Sequence, residues 1–331
     1  MIRSFYSGLI GRSGDGSKPY KLIIRAVVST GILAALLWWL PVDALLQAVT
    51  AIAPQVWILV VCGFILGHIV SAFKWRLLLR AVDINITRLE AVRAHGAGLF
   101  ANLCLPSVVG GDVVRAGVVI RDHKRFENIA LGSLADRIND SFALVVLAAV
   151  AGMFVPQTSE VALGQLLAGA ALLLLAGVLT VFAIIRWFPV SRLPQKFGNI
   201  LLRFRSAMDS LGQAPKIAIL AFLMSLGIQG SFIGLNILLA SEIGIDASAS
   251  VWFFAWPLAK LVALAPISLG GIGVREVAIA GLMAPFGIEP ALVVAQSLSW
   301  EAVLVGSGLF AGIVVALLPG SGSRKDQGDK L

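Results

Sequence analysis

The chain has 331 residues, of which 58% are hydrophobic and 13% are charged, and its mean hydropathy is +0.93. About a quarter of the residues in an ordinary soluble domain are charged, so this composition excludes that class and indicates a membrane-embedded protein. The formal net charge of +8 is then explained by cytoplasmic loops that face anionic lipid, and we expect no nucleic-acid partner.

Apolar stretches long enough to cross a bilayer recur along the chain. The first, at about 22–40, follows a basic segment and is longer than the apolar core of a signal peptide. We interpret it as an uncleaved span, with cleavage after Ala53 as the alternative. The other predicted spans lie at about 55–73, 129–155, 162–187, 217–240 and 291–318.

Two further apolar segments, at about 92–120 and 251–287, are each interrupted by the motif P-x-x-x-G-G-x-x-V-R. Proline and paired glycines break helices, and arginine is costly inside a bilayer, so each copy predicts a chain reversal that carries a functional charge. Each segment is one kinked span, two spans or a re-entrant pair of half-helices. The copies contain Pro106, Gly110, Gly111, Val114 and Arg115, and Pro266, Gly270, Gly271, Val274 and Arg275.

Loop charge predicts the side of the membrane on which each loop lies, because short cytoplasmic loops are rich in Lys and Arg. The loops at 41–55 and 241–250 contain no basic residue, whereas the stretches at 74–93 and 186–216 are strongly basic. We therefore expect both termini in the cytoplasm, the first interrupted segment entering from the cytoplasm and the second from outside. The helical spacing of apolar residues over 193–211 predicts an amphipathic helix on the cytoplasmic surface.

These assignments predict an all-α polytopic membrane protein. It has about six full transmembrane helices plus two re-entrant or paired short helical elements, arranged as two inverted-topology repeats. The repeats span about 21–155 and 162–318 within a single transmembrane domain, residues 21–320. Residues 1–20 and 321–331 are predicted to be a cytoplasmic N-terminal segment and a cytoplasmic tail.

Both motifs place a cation beside a predicted helix start. A half-helix beginning at Gly111 or Gly271 points unpaired backbone N–H groups into the protein, and an arginine follows about one turn later. This arrangement predicts a cradle for a phosphate head group. The alternative is that each arginine pairs with a local carboxylate. The carboxylates concerned are Asp112 or Asp136 for Arg115, and Glu276 or Glu301 for Arg275.

Other charged residues lie inside the predicted spans. Lys260 either adds a third cation to the site or extends toward the membrane interface. Asp136, Asp140 and Glu301 are candidates for proton coupling, although ion-paired carboxylates give the same pattern. No histidine spacing fits a metal site, and we expect no metal, cofactor or catalytic residues. The predicted substrate-binding residues are Gly110, Gly111, Asp112, Arg115, Arg137, Lys260, Gly270, Gly271, Arg275 and Glu276.

Several of these motifs occur together in a known family. They are Lys74-Trp75-Arg76, Asn102, Leu105-Pro106-Ser107, Gly110-Gly111-Asp112, Arg115, Asp136-Arg137, Pro266, Gly270-Gly271-Ile272-Gly273 and Arg275-Glu276. The chain thereby resembles, over about 20–320, the transmembrane region of the lysylphosphatidylglycerol synthases, a flippase-like domain that also occurs alone.

The resemblance implies a polytopic protein that moves or otherwise handles a lipid with an anionic or aminoacylated head group. It also implies that the two Gly-Gly-Arg elements form the head-group site. In the bifunctional members a soluble aminoacyl-transferase domain follows, whereas only about a dozen residues follow Leu318. We therefore expect that this chain is not the synthase.

Three functions fit the sequence. The first is translocation of a phospholipid or polyprenyl-phosphate lipid across the cytoplasmic (inner) membrane, with basic loops contacting anionic lipids. The second is a membrane glycosyltransferase or lipid-phosphate enzyme, but the sequence has no Asp-x-Asp, His-x-x-x-His or Gly-x-Ser-x-Gly arrangement. The third is a membrane scaffold or regulator without transport. We expect the first and therefore no enzymatic activity.

Overall fold

The computed structural model describes five long stretches of the chain and part of a sixth. Predictions on the first span at 22–40 and on the ends at 1–20 and 321–331 lie outside the described residues, as does most of the span predicted at 162–187. Every regular element within the described part is helical. The described residues are 50–104, 110–123, 126–155, 194–263 and 273–317, together with part of 176–192.

The chain is an all-α membrane protein. Four long helices, α1, α4, α6 and α9, lie at four of the predicted spans, and each measures about 42 Å, more than the roughly 30 Å hydrocarbon layer. The labelled helices are α1 Pro54–Ala81, α2 Arg88–Cys104, α3 Gly110–His123, α4 Phe126–Gly152, α5 Gln195–Gln213, α6 Pro215–Glu242, α7 Ala249–Val262, α8 Val274–Met283 and α9 Pro290–Leu317.

The long helices differ in how much charge they carry. By length and composition α1, α6 and α9 can cross a membrane. Helix α4 is of similar length but contains Asp136, Arg137 and Asp140 near its middle. Charged side chains at such a depth need partners within the protein, so α4 must pack against other helices along this face.

In the described part of the chain, each interrupted segment contains two short α-helices. Helices α2 and α3 run side by side in opposite directions: Gly98 of α2 approaches Gly111 of α3, and His95 contacts Arg115 one turn further back. Thr87 starts α2 as a capping residue, since its hydroxyl accepts a hydrogen bond from Glu90 N at 3.2 Å. The predicted reversal at Pro106 lies between these helices, outside the described residues.

The order of one long, two short and one long helix occurs twice, as α1 to α4 and again as α6 to α9. The chain also leaves the first long helix of each set in the same way. Ile84 N donates to Leu79 O at 2.9 Å, and Ile245 N donates to Ala240 O at 3.0 Å. In each turn one residue has a positive φ, 60° at Asp83 and 85° at Gly244. Both are residue types that tolerate this left-handed cap.

Helices α1 and α6 are antiparallel along much of their length. Gly63 and Gly67 of α1 lie against Leu235 and Phe232 of α6, and Lys74 reaches Ser225, so rising numbers in one helix meet falling numbers in the other. A Cβ on Gly63 would stand 3.0 Å from Leu235, so the glycine face permits this close packing. The first long helices of the two sets therefore point in opposite directions.

Helix α9 contacts both pairs of short helices. Leu103, in the last turn of α2, packs on Gly308, and Gly96 of α2 packs on Val315, so α2 runs inward from the C-terminal end of α9. Arg275, in the first turn of α8, reaches Glu301 from the N-terminal end. Glu301 and Gly308 are seven residues apart, about 10 Å along the helix. The two pairs thus reach the middle of α9 from opposite ends.

Candidate functional site

Ten charged side chains of the described helices form two clusters of contacting residues and one separate lysine. We define the first cluster as Lys74, Asp112, Arg115, Asp136, Arg137 and Asp140, and the second cluster as Arg275, Glu276 and Glu301. Lys260 is a separate cation on α7.

Arg115 is at the centre of the first cluster. Its Nη1 lies 2.9 Å from Asp136 Oδ2, and its Nη2 lies 3.3 Å from Asp112 Oδ1. The guanidinium also stacks over Trp75, with Cζ 4.6 Å from the ring centroid, and the side chain is only 4% exposed. The proposed ion pair of Arg115 with local carboxylates is therefore confirmed. Arg137, which is 41% exposed, holds the outer side of the cluster by pairing with Asp112.

Arg115 retains N–H donors that make no hydrogen bond to a described residue. Among the described residues, Nε and Nη2 of Arg115 are buried without a hydrogen bond, because the contact of Nη2 with Asp112 is short enough for an ion pair but is not aligned as a hydrogen bond. A buried N–H without a partner is unfavourable. From these two nitrogens Arg115 can therefore donate to a further anionic oxygen without breaking a hydrogen bond that they already make.

Lys74 is the site residue that sequence reasoning missed. The sequence pattern places it in the basic stretch after the second span, but α1 continues to Ala81 and Lys74 is fully buried. Its Nζ lies 3.2 Å from Asp136 Oδ1, pairs with Asp140, and donates to Ser225 Oγ at 2.9 Å. The sequence signal for this residue is that Lys74 directly follows the apolar span predicted at 55–73.

The start of α3 has a partner of its own. The helix begins at Gly110, one residue before the predicted start, and Asn102 Oδ1 accepts a hydrogen bond from Gly111 N at 2.8 Å. A Cβ on Gly111 would collide with the Asn102 side chain and the Gly98 carbonyl. The glycine is thus needed for the close approach of the two short helices. One of the backbone N–H groups at the start of α3 already donates to Asn102.

The second cluster is smaller and lies at the start of α8. Arg275 Nη2 lies 2.8 Å from both Glu276 Oε1 and Glu301 Oε2, which confirms the ion-pair alternative for this arginine too. Ser297 Oγ donates to Glu276 Oε1 at 3.0 Å. Gly273 N donates to Glu276 Oε2 at 2.6 Å, so a carboxylate of the protein already occupies this helix start.

Helix α8 starts later than the motif predicts. It begins at Val274, three residues after Gly271, and the residue before it, Gly273, has φ of 86°. Gly270 and Gly271 lie outside the described residues, as does Pro266.

Aromatic rings separate the two clusters. Phe232 lies between His68, at 5.2 Å between ring centroids, and Trp300, at 6.2 Å. Trp256 packs on Trp300 at 5.8 Å and lies 5.8 Å from Arg275 Cζ. Lys260 stands beside this wall: its Nζ donates to Gln229 Oε1 at 2.8 Å and lies 5.9 Å from the Phe232 ring. It belongs to neither cluster by direct contact.

Two histidines join the first cluster in a way that their sequence spacing did not indicate. His68 Nδ1 of α1 and His95 Nε2 of α2 are 3.0 Å apart, and His95 Nδ1 lies 3.4 Å from Arg115 Nη1. Across the described ranges no group of three or more His, Cys, Asp or Glu side chains is placed to hold a metal ion. The histidines extend the polar network instead.

Comparison with known proteins identifies relatives. The family described as the lysylphosphatidylglycerol synthase TM region matches residues 22–312, a range that includes both clusters. A UPF0104 membrane protein of Pyrococcus horikoshii is 24% identical over 312 residues, which is 85% of this chain and 91% of that protein.

Proposed function

Because the chain belongs to the lysylphosphatidylglycerol synthase transmembrane-region family, we propose that it translocates a lipid with an anionic or aminoacylated head group across the cytoplasmic membrane. The observation that carries the proposal is Arg115, a buried guanidinium with two donors that make no hydrogen bond. A phosphate oxygen fits these donors, since guanidinium and phosphate form short, charge-assisted hydrogen bonds. The substrate is then a phospholipid or polyprenyl-phosphate lipid.

The head group is held, in this proposal, between the paired short helices. We take α2 with α3, and α7 with α8, as re-entrant elements of two inverted repeats. The antiparallel course of α1 and α6 supports this, as does the approach of Leu103 and Arg275 to the middle of α9 from opposite ends. One cluster then faces each side of the membrane, and rocking of one half against the other exposes them in turn.

The carboxylates of the clusters set the order of events. An entering phosphate meets Arg137 and Asp112 first, because their side chains are 41% and 14% exposed, whereas those of Lys74 and Asp136 are nearly inaccessible. Phosphate at Arg115 displaces Asp112 Oδ1, while Oδ2 keeps its pair with Arg137, so one carboxylate oxygen becomes available to an ammonium group. An aminoacylated head group satisfies both charges at once, so it fits the same position.

We further propose the orientation predicted from loop charge, with the C-terminal end of α1 at the cytoplasmic face. Arg80 at that end and Arg88 at the start of α2 then lie where anionic lipid head groups are attracted. The transport needs no covalent chemistry, so the protein acts as a carrier and not as an enzyme.

The test uses purified protein in liposomes. We expect labelled phosphatidylglycerol to change leaflet much faster than labelled phosphatidylcholine in vesicles that differ only in that lipid. Arg115→Lys keeps the charge but loses the planar fork, so the rate for phosphatidylglycerol should fall by about tenfold or more, the value of one charged hydrogen bond. Arg88→Lys, outside the cluster, is the matched control and should keep the rate.

Three outcomes would contradict the proposal. Equal acceleration of both lipids by the unaltered protein would indicate a nonspecific scramblase. A normal phosphatidylglycerol rate in folded Arg115→Lys would show that this guanidinium only stabilises the fold. If folded protein accelerates no lipid, an enzyme or a scaffold is the better reading.

A further inference from the structure

The histidine pair is the part of the network that lipid binding alone does not use. His95 is buried and His68 is half-buried, and the two imidazoles contact each other between α1 and α2. His95 also contacts Arg115, the residue to which the proposed function assigns the lipid phosphate. Anything that moves Arg115 therefore changes the hydrogen bonding of the pair.

The contacts determine where the protons of the pair lie. A guanidinium can only donate, so His95 Nδ1, 3.4 Å from Arg115 Nη1, must accept. The His95 proton is then on Nε2, which donates to His68 Nδ1 at 3.0 Å, and the His68 proton is on its own Nε2. In this state both rings are neutral and neither has a free lone pair for another proton.

The surrounding charges are balanced before a lipid binds. The two clusters and Lys260 contain five cations and five carboxylates: Lys74, Arg115, Arg137, Lys260 and Arg275 against Asp112, Asp136, Asp140, Glu276 and Glu301. An anionic head group adds one negative charge to this neutral interior, which is costly away from water. A proton taken up next to it restores neutrality.

The charged groups that act on the pair come from four helices. They are Lys74 of α1, Arg115 of α3, Arg137 and Asp140 of α4, and Lys260 of α7. Asp112 and Asp136 pair with the same Arg115 guanidinium. While Arg115 donates to His95 Nδ1, that lone pair is occupied and cannot bind a proton. An anion bound at Arg115 adds a negative charge beside His95 and favours the protonated ring.

We propose that His95 binds one proton when Arg115 turns to the lipid phosphate, so that one proton crosses the membrane with each anionic lipid. The proposal rests on the proposed function. The Arg115 hydrogen bond to His95 Nδ1 breaks, and a proton from water on the entry side forms an N–H bond with that lone pair. On release of the lipid at the other side, the proton returns to water and Arg115 contacts His95 again. No electrons are transferred.

The carboxylates are less suited to this role. Asp136 keeps Lys74 as a partner when Arg115 leaves, and Asp140 keeps Lys74 and Ser225. Glu276 and Glu301 share Arg275 and do not contact Arg115 in the described part of the chain. Asp136 Oδ2 also loses Arg115, but Lys74 stays 3.2 Å from the other oxygen of that carboxylate, and Asp112 keeps Arg137. In the described part of the chain, His95 Nδ1 is left with no other partner.

The experiment measures lipid and proton movement together. Liposomes contain the protein, labelled phosphatidylglycerol and an internal pH dye, and the outside is made more acidic by one pH unit. With one proton per anionic lipid, the labelled lipid should reach about a tenfold leaflet asymmetry, since one pH unit corresponds to a factor of ten. Proton entry should depend on phosphatidylglycerol and be absent with phosphatidylcholine alone.

The variant His95→Gln keeps one donor and one acceptor but cannot bind the proton. We expect it to move phosphatidylglycerol toward equal leaflets, with no asymmetry and no lipid-dependent proton entry. His123→Gln replaces the third histidine of the sequence, to which no role is assigned, and should behave like the unaltered protein. If His95→Gln keeps the tenfold asymmetry, or if unaltered protein moves the lipid without protons, this inference is wrong and the proposed function stands.

A second measurement covers the case in which His95→Gln does not fold. Unaltered protein in detergent, in weakly buffered solution near neutral pH, is titrated with short-chain phosphatidylglycerol. Uptake of about one proton per bound lipid is expected. Binding without proton uptake refutes the inference alone, whereas absence of both binding and transport refutes the proposed function as well.

Discussion

Replacing Lys74 with methionine removes the cation that links α1 to α4 and α6. Lys74 Nζ contacts Asp136 at 3.2 Å, Asp140 and the Ser225 hydroxyl, and none of its side chain is exposed. Methionine has nearly the same length, so the main effect is an unpaired buried charge. Losing one partner of a buried pair costs about 3–5 kcal/mol. Since Asp136 keeps Arg115, most of this cost falls on Asp140.

The double variant separates charge from packing. Asp140→Asn added to Lys74→Met removes the unpaired charge, and we expect it to recover at least half of the lost stability. Thermal unfolding in one detergent, followed by intrinsic tryptophan fluorescence, compares the three proteins. If Lys74→Met unfolds at the same temperature as the unaltered protein, or if the double variant is less stable than the single one, Lys74 does not stabilise the cluster as argued.

Two further predictions concern packing and orientation. Gly111→Ala places a Cβ against the Asn102 side chain, so we expect a loss of about 1–3 kcal/mol, while Gly117→Ala, which has no neighbour within 4 Å, should lose nothing; equal stability of both variants would show that α2 and α3 separate easily. Ser248 lies in a stretch that has acidic but no basic residues, and Ser206 lies in the strongly basic stretch at 186–216. Ser248→Cys should therefore react with an impermeant thiol reagent outside intact cells, and Ser206→Cys should not. External labelling of Ser206→Cys would contradict the proposed orientation.

The long helices could be predicted because hydropathy alone determines where a chain can cross a membrane. The predicted starts near 55, 129, 217 and 291 fall within three residues of the observed ones. The same criterion failed at the end of α1, where the basic residues from Lys74 onward lower the hydropathy although the helix continues to Ala81. Hydropathy cannot distinguish a lysine that leaves the membrane from one that is paired inside it.

The sequence predicts many residues of the site but not which side chains from different helices contact each other. Arg115 pairs with Asp112, three residues away on the same helix, as sequence distance alone allows. The pairs of Arg115 with Asp136 and of Arg275 with Glu301 join different helices, so they depend on helix packing. The contact of His68 with His95 depends on how α1 packs on α2, and no spacing within one helix encodes it. The helix predicted to start at Gly271 starts at Val274 instead, after Gly273 with its positive φ.

The two attachments of α9 are of different kinds, and this bears on which parts move. The second short-helix pair is tied to it by the ion pair of Arg275 with Glu301, whose geometry tolerates little displacement. Helix α2 instead rests on the glycine face formed by Gly308 and Gly312, where backbone and flat side-chain surfaces meet without charges. Shear between packed helices occurs most readily at such contacts. Helices α8 and α9 should therefore move together as one rigid body, and this body should slide along α2.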